Sequence, residues 1–89
     1  MIYYEKEVQK SYKKEEIPKR IMELFHNAFL SIAVTEDMDL FDIKQIKGSY
    51  DRVYYRLKKG KYRALFYFFE KDINVIYIGK RDEVYKKWQ

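Results

Sequence analysis

Two periodicities divide the chain. Ile17, Ile21, Leu24, Phe25, Ala28, Phe29 and Ile32 recur at steps of three and four, which puts them on one face of an amphipathic helix. Glu15, Glu16 and Pro18 suit its entry, because acids favour the positive end of the helix dipole and proline is tolerated in the first turn. Lys19, Arg20, Glu23 and His26 fall off the stripe, so His26 reads as a solvated surface residue. Thr35, Glu36, Asp37 and Asp39 follow as an acidic loop. Ahead of the helix, Met1 to Val8 mixes Ile2, Tyr3, Tyr4 and Val8 with charges, and fits either an edge strand through about Glu5 or the start of a helix.

After Gly48 the period falls to two. Val53, Tyr55 and Leu57 alternate with Tyr54, Arg56 and Lys58, Lys59-Gly60 marks a turn, and Tyr62 to Phe69 is aromatic with Arg63 as its single charge. Glu70-Lys71-Asp72 is a second turn, Ile73 to Ile78 a third strand, and Asp82 to Trp88 a short terminal helix. The order is strand, one or two helices, three strands and a helix. It predicts one α+β domain over residues 1–89: a small antiparallel sheet with amino-terminal helices packed on one face and a short carboxyl-terminal helix.

The turns imply a register. With Lys59-Gly60 as a two-residue loop, Arg56 lies opposite Arg63; with Glu70 to Asp72 as a three-residue loop, Arg63 lies opposite Gly79, and Arg81 follows on the same side if the strand continues. A bulge at the first turn would make Arg56 diagonal to Arg63 instead. One face then carries the three arginines with Tyr54, Tyr67, Tyr77, Leu65, Phe69 and Val75. The other carries Val53, Tyr55, Leu57, Ala64, Phe66, Phe68, Ile76 and Ile78, the natural partner of the helix stripe. Like charges opposed on a sheet are destabilising by about 0.2 to 1 kcal/mol per pair, so such a cluster points to an anion.

Charge sharpens this picture. Of 19 basic and 14 acidic residues, residues 1–43 hold 6 and 9, and residues 44–89 hold 13 and 5. Between Arg52 and Arg63 stand six cations and no anion. A polyanion is the expected partner. The absence of Cys excludes disulfides and thiolate metal sites, and one His cannot build a zinc site alone, so neither metal nor cofactor is expected. No apolar signal segment opens the chain, and its longest uncharged stretch, Leu24 to Thr35, is short of the roughly 20 residues a membrane span needs. A soluble, cytoplasmic protein without membrane contact is the expectation.

From about Leu40 to Tyr85 the chain resembles the RelE/ParE superfamily of toxins from toxin-antitoxin pairs, closer to the RelE branch. The resemblance rests on the order and spacing of three blocks: residues 42–48 (Asp-Ile-Lys-Gln-Ile-Lys-Gly), residues 55–63 (Tyr-Arg-Leu-Lys-Lys-Gly-Lys-Tyr-Arg) and residues 75–85 (Val-Ile-Tyr-Ile-Gly-Lys-Arg-Asp-Glu-Val-Tyr). It implies a metal-free endoribonuclease that cleaves messenger RNA in the ribosomal decoding site by attack of a ribose 2′-hydroxyl, and that a cognate antitoxin silences. It also implies that Arg63 and Arg81 are catalytic arginines, that Tyr85 is the carboxyl-terminal catalytic tyrosine, and that Arg56 stands at one of two strand-lysine positions. Tyr54 occupies the other, so the family's basic pair is incomplete and the general base is left open.

The residue types suit that chemistry. A guanidinium presents paired donors to phosphate oxygens and stays charged, so Arg63 and Arg81 would stabilise the pentacoordinate phosphate. Tyr85 would act as base or acid. Arg56 and Tyr54 would hold the substrate, with Lys58, Lys59 and Lys61 meeting more distant phosphates. Asp82 and Glu83 suit the cap of the last helix, with Glu83 a further candidate base. Two other readings stand beside this one: a ParE-like toxin that binds gyrase, and a non-catalytic RNA-binding module. An antitoxin with an amphipathic, acidic helix would suit the basic face and the aromatic strand Tyr62 to Phe69.

Overall fold

The computed structural model describes residues 1–46 and 52–88, the last four of these by their backbone alone. In chain order the elements are β1 (Ile2–Tyr4), α1 (Lys6–Lys13), α2 (Lys19–Thr35), a 3-10 turn (Met38–Leu40), β2 (Ile43–Ile46), β3 (Tyr54–Lys59), β4 (Tyr62–Phe69), β5 (Asp72–Lys80) and α3 (Arg81–Trp88). The five strands form one sheet in the order β1-β5-β4-β3-β2. The expected α+β class holds, with two additions. β1 joins β5 in parallel, so the sheet is mixed, and β2 adds a strand that the periodicity does not predict.

α2 is the helix that the apolar period announces. Phe25, Ala28, Phe29 and Ile32 are buried, as is Ile17 just before the helix, whereas Leu24 sits at the stripe's edge and stays partly exposed. Pro18 is its N-cap, with no side-chain cap hydrogen bond, and Glu36 closes it in the left-handed region at φ 58°. The stripe meets one face of the sheet at Leu57, Ala64, Phe66, Ile73, Val75 and Ile78. Phe66 is the centre of this layer. Its ring lies edge-on to Phe29 at 5.1 Å and close to Tyr55 at 5.6 Å and Phe68 at 5.7 Å.

Both turns depart from the expected loops. In the first, the loop is Gly60-Lys61, with Gly60 at φ 59° in the first loop position, where a positive φ favours glycine. Arg63 therefore pairs with Lys58, and Arg56 with Leu65, so Arg56 is diagonal to Arg63. The partner moves by two residues, so parity, and with it each side chain's face, is preserved. In the second, the loop is Glu70-Lys71, because Asp72 pairs with Phe69 and its carboxylate holds the amino terminus at 2.8 Å. A β-bulge then takes up one residue: Phe66 pairs with Val75 but Leu65 with Tyr77. Arg63 still faces Gly79, as expected, while Val75 turns to the α2 side and Ile76 to the opposite one. The expected faces of these two residues are thereby exchanged.

The second face is covered in part by α3, whose Val84 packs on Leu65 and Ile76, with Ile46, Tyr54, Tyr67 and Tyr77 around them. Helical elements therefore lie on both sides of the sheet. β4 is its central strand, so the aromatic run Tyr62 to Phe69 is not an exposed edge and offers no edge for a partner to pair with.

Tyr4 ties β1 to α2. Its hydroxyl lies 2.9 Å from Nδ1 of the exposed His26, and burial pushes the phenol up to about 12. The unfolded phenol titrates near 10, so the folded state favours the protonated form. Stability due to Tyr4 is thus fully present below about pH 10 and is lost as pH rises toward 12. Urea unfolding at pH 9, 10 and 11 is expected to show a falling midpoint, and Tyr4→Phe to flatten part of that fall. An equally steep fall in the variant would exclude Tyr4 as a source.

Candidate nucleic-acid interface

On the α3 side of the sheet the registers build a band of cations. Lys44 of β2 pairs with Arg56 of β3, and Lys58 lies two residues further along the same face. Lys44 and Lys58 are exposed and Arg56 is half-buried. Arg81, the first residue of α3, adds an exposed cation at the end of β5, where its backbone N–H donates to the Lys61 carbonyl at 3.0 Å. That bond fixes the start of α3 to the β3–β4 turn, and Lys61 is exposed at the same turn.

Arg63 behaves differently from the surface clamp expected of it. It is only 6% exposed, and its Nη1 donates to the Gly60 carbonyl at 2.8 Å and to the Tyr62 carbonyl at 2.9 Å. The side chain thus folds back on the β3–β4 turn and donates to the carbonyl of its first loop residue and to that of Tyr62, the first residue of β4. Hydrogen bonds to a charged donor contribute about 1.5–3 kcal/mol each. Arg63→Ala removes both and is therefore expected to destabilise the domain by about 3 kcal/mol, the lower end for two such bonds, and to lower the melting temperature by roughly 12–24 °C. A melting temperature within a few degrees of the parent would refute the structural role.

Lys59 also leaves the band. It has the opposite parity to Arg56 and Lys58, and its Nζ lies 5.3 Å from the centroid of the Phe41 ring. Tyr54 remains on the cationic face, edge-on to Tyr67 at 5.8 Å. Position 85 falls one helical turn beyond Arg81 in α3; the Tyr85 side chain, like Lys47 and Gly48 of the first motif block, lies outside the described residues.

Two cations of the face escaped the sequence reading. Lys44 was hidden because β2 was not foreseen as a strand, although a short apolar-polar-polar-apolar run (Ile43–Ile46) was its signal. Arg52 stood in the cation run with no assigned role, and its Cζ lies 4.1 Å from the centroid of Tyr67.

Beside α3, the Tyr77 hydroxyl donates to Glu83 Oε2 at 3.3 Å. The ring closes over Gly79, where an added Cβ would stand 2.7 Å from that hydroxyl, so a side chain there would push the Tyr77 ring aside. Burial raises the Tyr77 phenol above its usual range, and the Glu83 charge and hydrogen bond, then Glu16 and Glu7, raise it further. Tyr77 keeps its proton at neutral pH and can serve as a donor but not as a base. Asp82 and Glu83 occupy the first turn of α3, where acids suit the helix dipole.

Among the described residues, no helix is long and apolar enough to cross a membrane. No protein-family model and no curated protein matches the chain. Solved structures do. A chain of the RelB-RelE antitoxin-toxin complex from Methanococcus jannaschii superimposes with a TM-score of 0.75 at 23% identity, covering 98% of this chain and 99% of that one. A chain of the archaeal RelE-RelB complex from Pyrococcus horikoshii OT3 gives a TM-score of 0.64 at 24% identity, covering 90% and 92%. Nearly the whole chain takes part in these superpositions, and it has the RelE fold.

Proposed function

We propose that the protein is the toxin of a toxin-antitoxin pair and an endoribonuclease that cleaves messenger RNA on the ribosome. One observation carries this reading: on a RelE fold, a single sheet face aligns Lys44, Arg56 and Lys58 beside Arg81 at the start of α3. A row of cations across one sheet face suits a single-stranded phosphate backbone. The antitoxin reading draws on the two similar structures, each a complex with RelB, and on the same basic face as a target for an acidic segment.

In the proposed reaction a ribose 2′-oxygen attacks the adjacent phosphorus. The phosphorus–O2′ bond forms as the phosphorus–O5′ bond breaks, leaving a 2′,3′-cyclic phosphate and a 5′-hydroxyl. A base takes the 2′ proton and an acid supplies the proton to O5′. Arg81 would stabilise the charge on the pentacoordinate phosphate, Arg56 and Lys58 would hold the flanking backbone, and Tyr85 would exchange one of the two protons. Arg63 would support this site by holding the turn to which the start of α3 is anchored.

The test is to incubate the protein with translating ribosomes and map RNA 5′ ends. Cuts at fixed codon positions, absent from the same messenger without ribosomes, are the expected result. Cuts on the bare messenger as well would remove ribosome dependence, and gyrase inhibition with intact RNA would replace the nuclease by a ParE-like activity.

A further inference from the structure

At one end of the cationic face lies a cluster that the proposed cleavage leaves unused. The Arg52 guanidinium carbon is 4.1 Å from the centroid of Tyr67, and Tyr54 meets the same ring edge-on at 5.8 Å and 88°. Arg52 is exposed, and both tyrosines are half-buried. We propose that Arg52, Tyr54 and Tyr67 form a stacking site for one unpaired nucleobase of the bound RNA. This deepens the nucleic-acid reading above and rests on it.

Three features support the site. A guanidinium over a phenol ring presents a flat cationic surface, and unstacked bases bind such planes and aromatic faces alike. Tyr67 is braced from below by the Leu65, Ile76 and Val84 cluster, so the platform needs little ordering when a ligand arrives. Its placement is also apt. Tyr54, Arg56 and Lys58 follow one another on the same face of β3 at steps of roughly 7 Å, comparable to the phosphate spacing of an extended single strand. RNA held by its phosphates at Lys58 and Arg56 would therefore bring the next base to the Arg52–Tyr67 stack. The larger face of a purine gains more there than a pyrimidine.

The experiment uses the full chain and a short single-stranded RNA carrying the fluorescent purine 2-aminopurine at each position in turn. Stacking quenches this base. The expected result is quenching at one position, with Arg52→Ala losing the quench and about tenfold in affinity. Lys58→Ala should weaken binding yet keep the quench at saturation. Bound RNA without quenching, an unchanged Arg52→Ala variant, or no RNA binding at all would overturn the site. Codon-positioned cleavage without quenching would sink the stacking site alone, and quenching without cleavage would sink the nuclease alone.

Discussion

Arg81→Ala is expected to lower ribosome-dependent cleavage by about 100- to 1000-fold while leaving the melting temperature within a few degrees of the parent. The magnitude is that of deleting one preorganised donor from a site where charge develops in the transition state. Position and exposure set Arg81 apart from Arg56 and Arg63. Its backbone is held by the Lys61 carbonyl, so its start point is rigid, while its side chain is exposed. Because the anchor is a backbone bond, alanine keeps it, and stability should hardly change. Single-turnover cleavage measured beside thermal melting separates the two effects. Arg81→Lys restores charge but not the paired donor geometry, and should recover only a minor fraction of the loss. Full activity in Arg81→Ala would remove Arg81 from the reaction.

Phe66→Ala should have the largest effect on stability, about 3–5 kcal/mol, the range for emptying an aromatic site in a packed core. Phe66 is fully buried and its ring touches Phe29 of α2, Tyr55 of β3 and Phe68 of its own strand. Its removal opens a void between helix and sheet that three rigid rings cannot refill. Small domains are stable by only about 5–15 kcal/mol, so the variant should be largely unfolded at moderate temperature. Chemical denaturation reads the loss directly. A cost below about 1 kcal/mol would mean that the surrounding rings collapse into the space.

The same residues show why some of the molecule was legible in the sequence and some was not. α2 was legible because Ile17 to Ile32 keep one period over four turns, and a long period averages out single exceptions such as Leu24. The division of Arg56 and Arg63 from Leu57 and Ala64 was legible because a slip of the pairing by two residues leaves parity intact. Loop limits were not, because Lys59-Gly60 and Gly60-Lys61 are equally good turn dipeptides and only the strand pairing decides between them. Ile76 and Val75 misled for another reason: a bulge has no local signature in a run of β-branched residues. β2 was missed because four residues are too few to show a period. The resemblance and the register point Arg63 toward a phosphate, whereas the Gly60 and Tyr62 carbonyls that draw it inward belong to tertiary geometry.

The bulge in β5 matters beyond the placing of two side chains. A three-residue hairpin loop with an even ladder, and a two-residue loop with one extra residue in the strand, both deliver Gly79 opposite Arg63. The surplus residue can therefore migrate between hairpin tip and strand interior over evolutionary time without displacing the arginine-bearing end of the sheet. Homologous chains should therefore keep a constant number of residues between positions 63 and 79, while the bulge sits at different points of the strand from one structure to another.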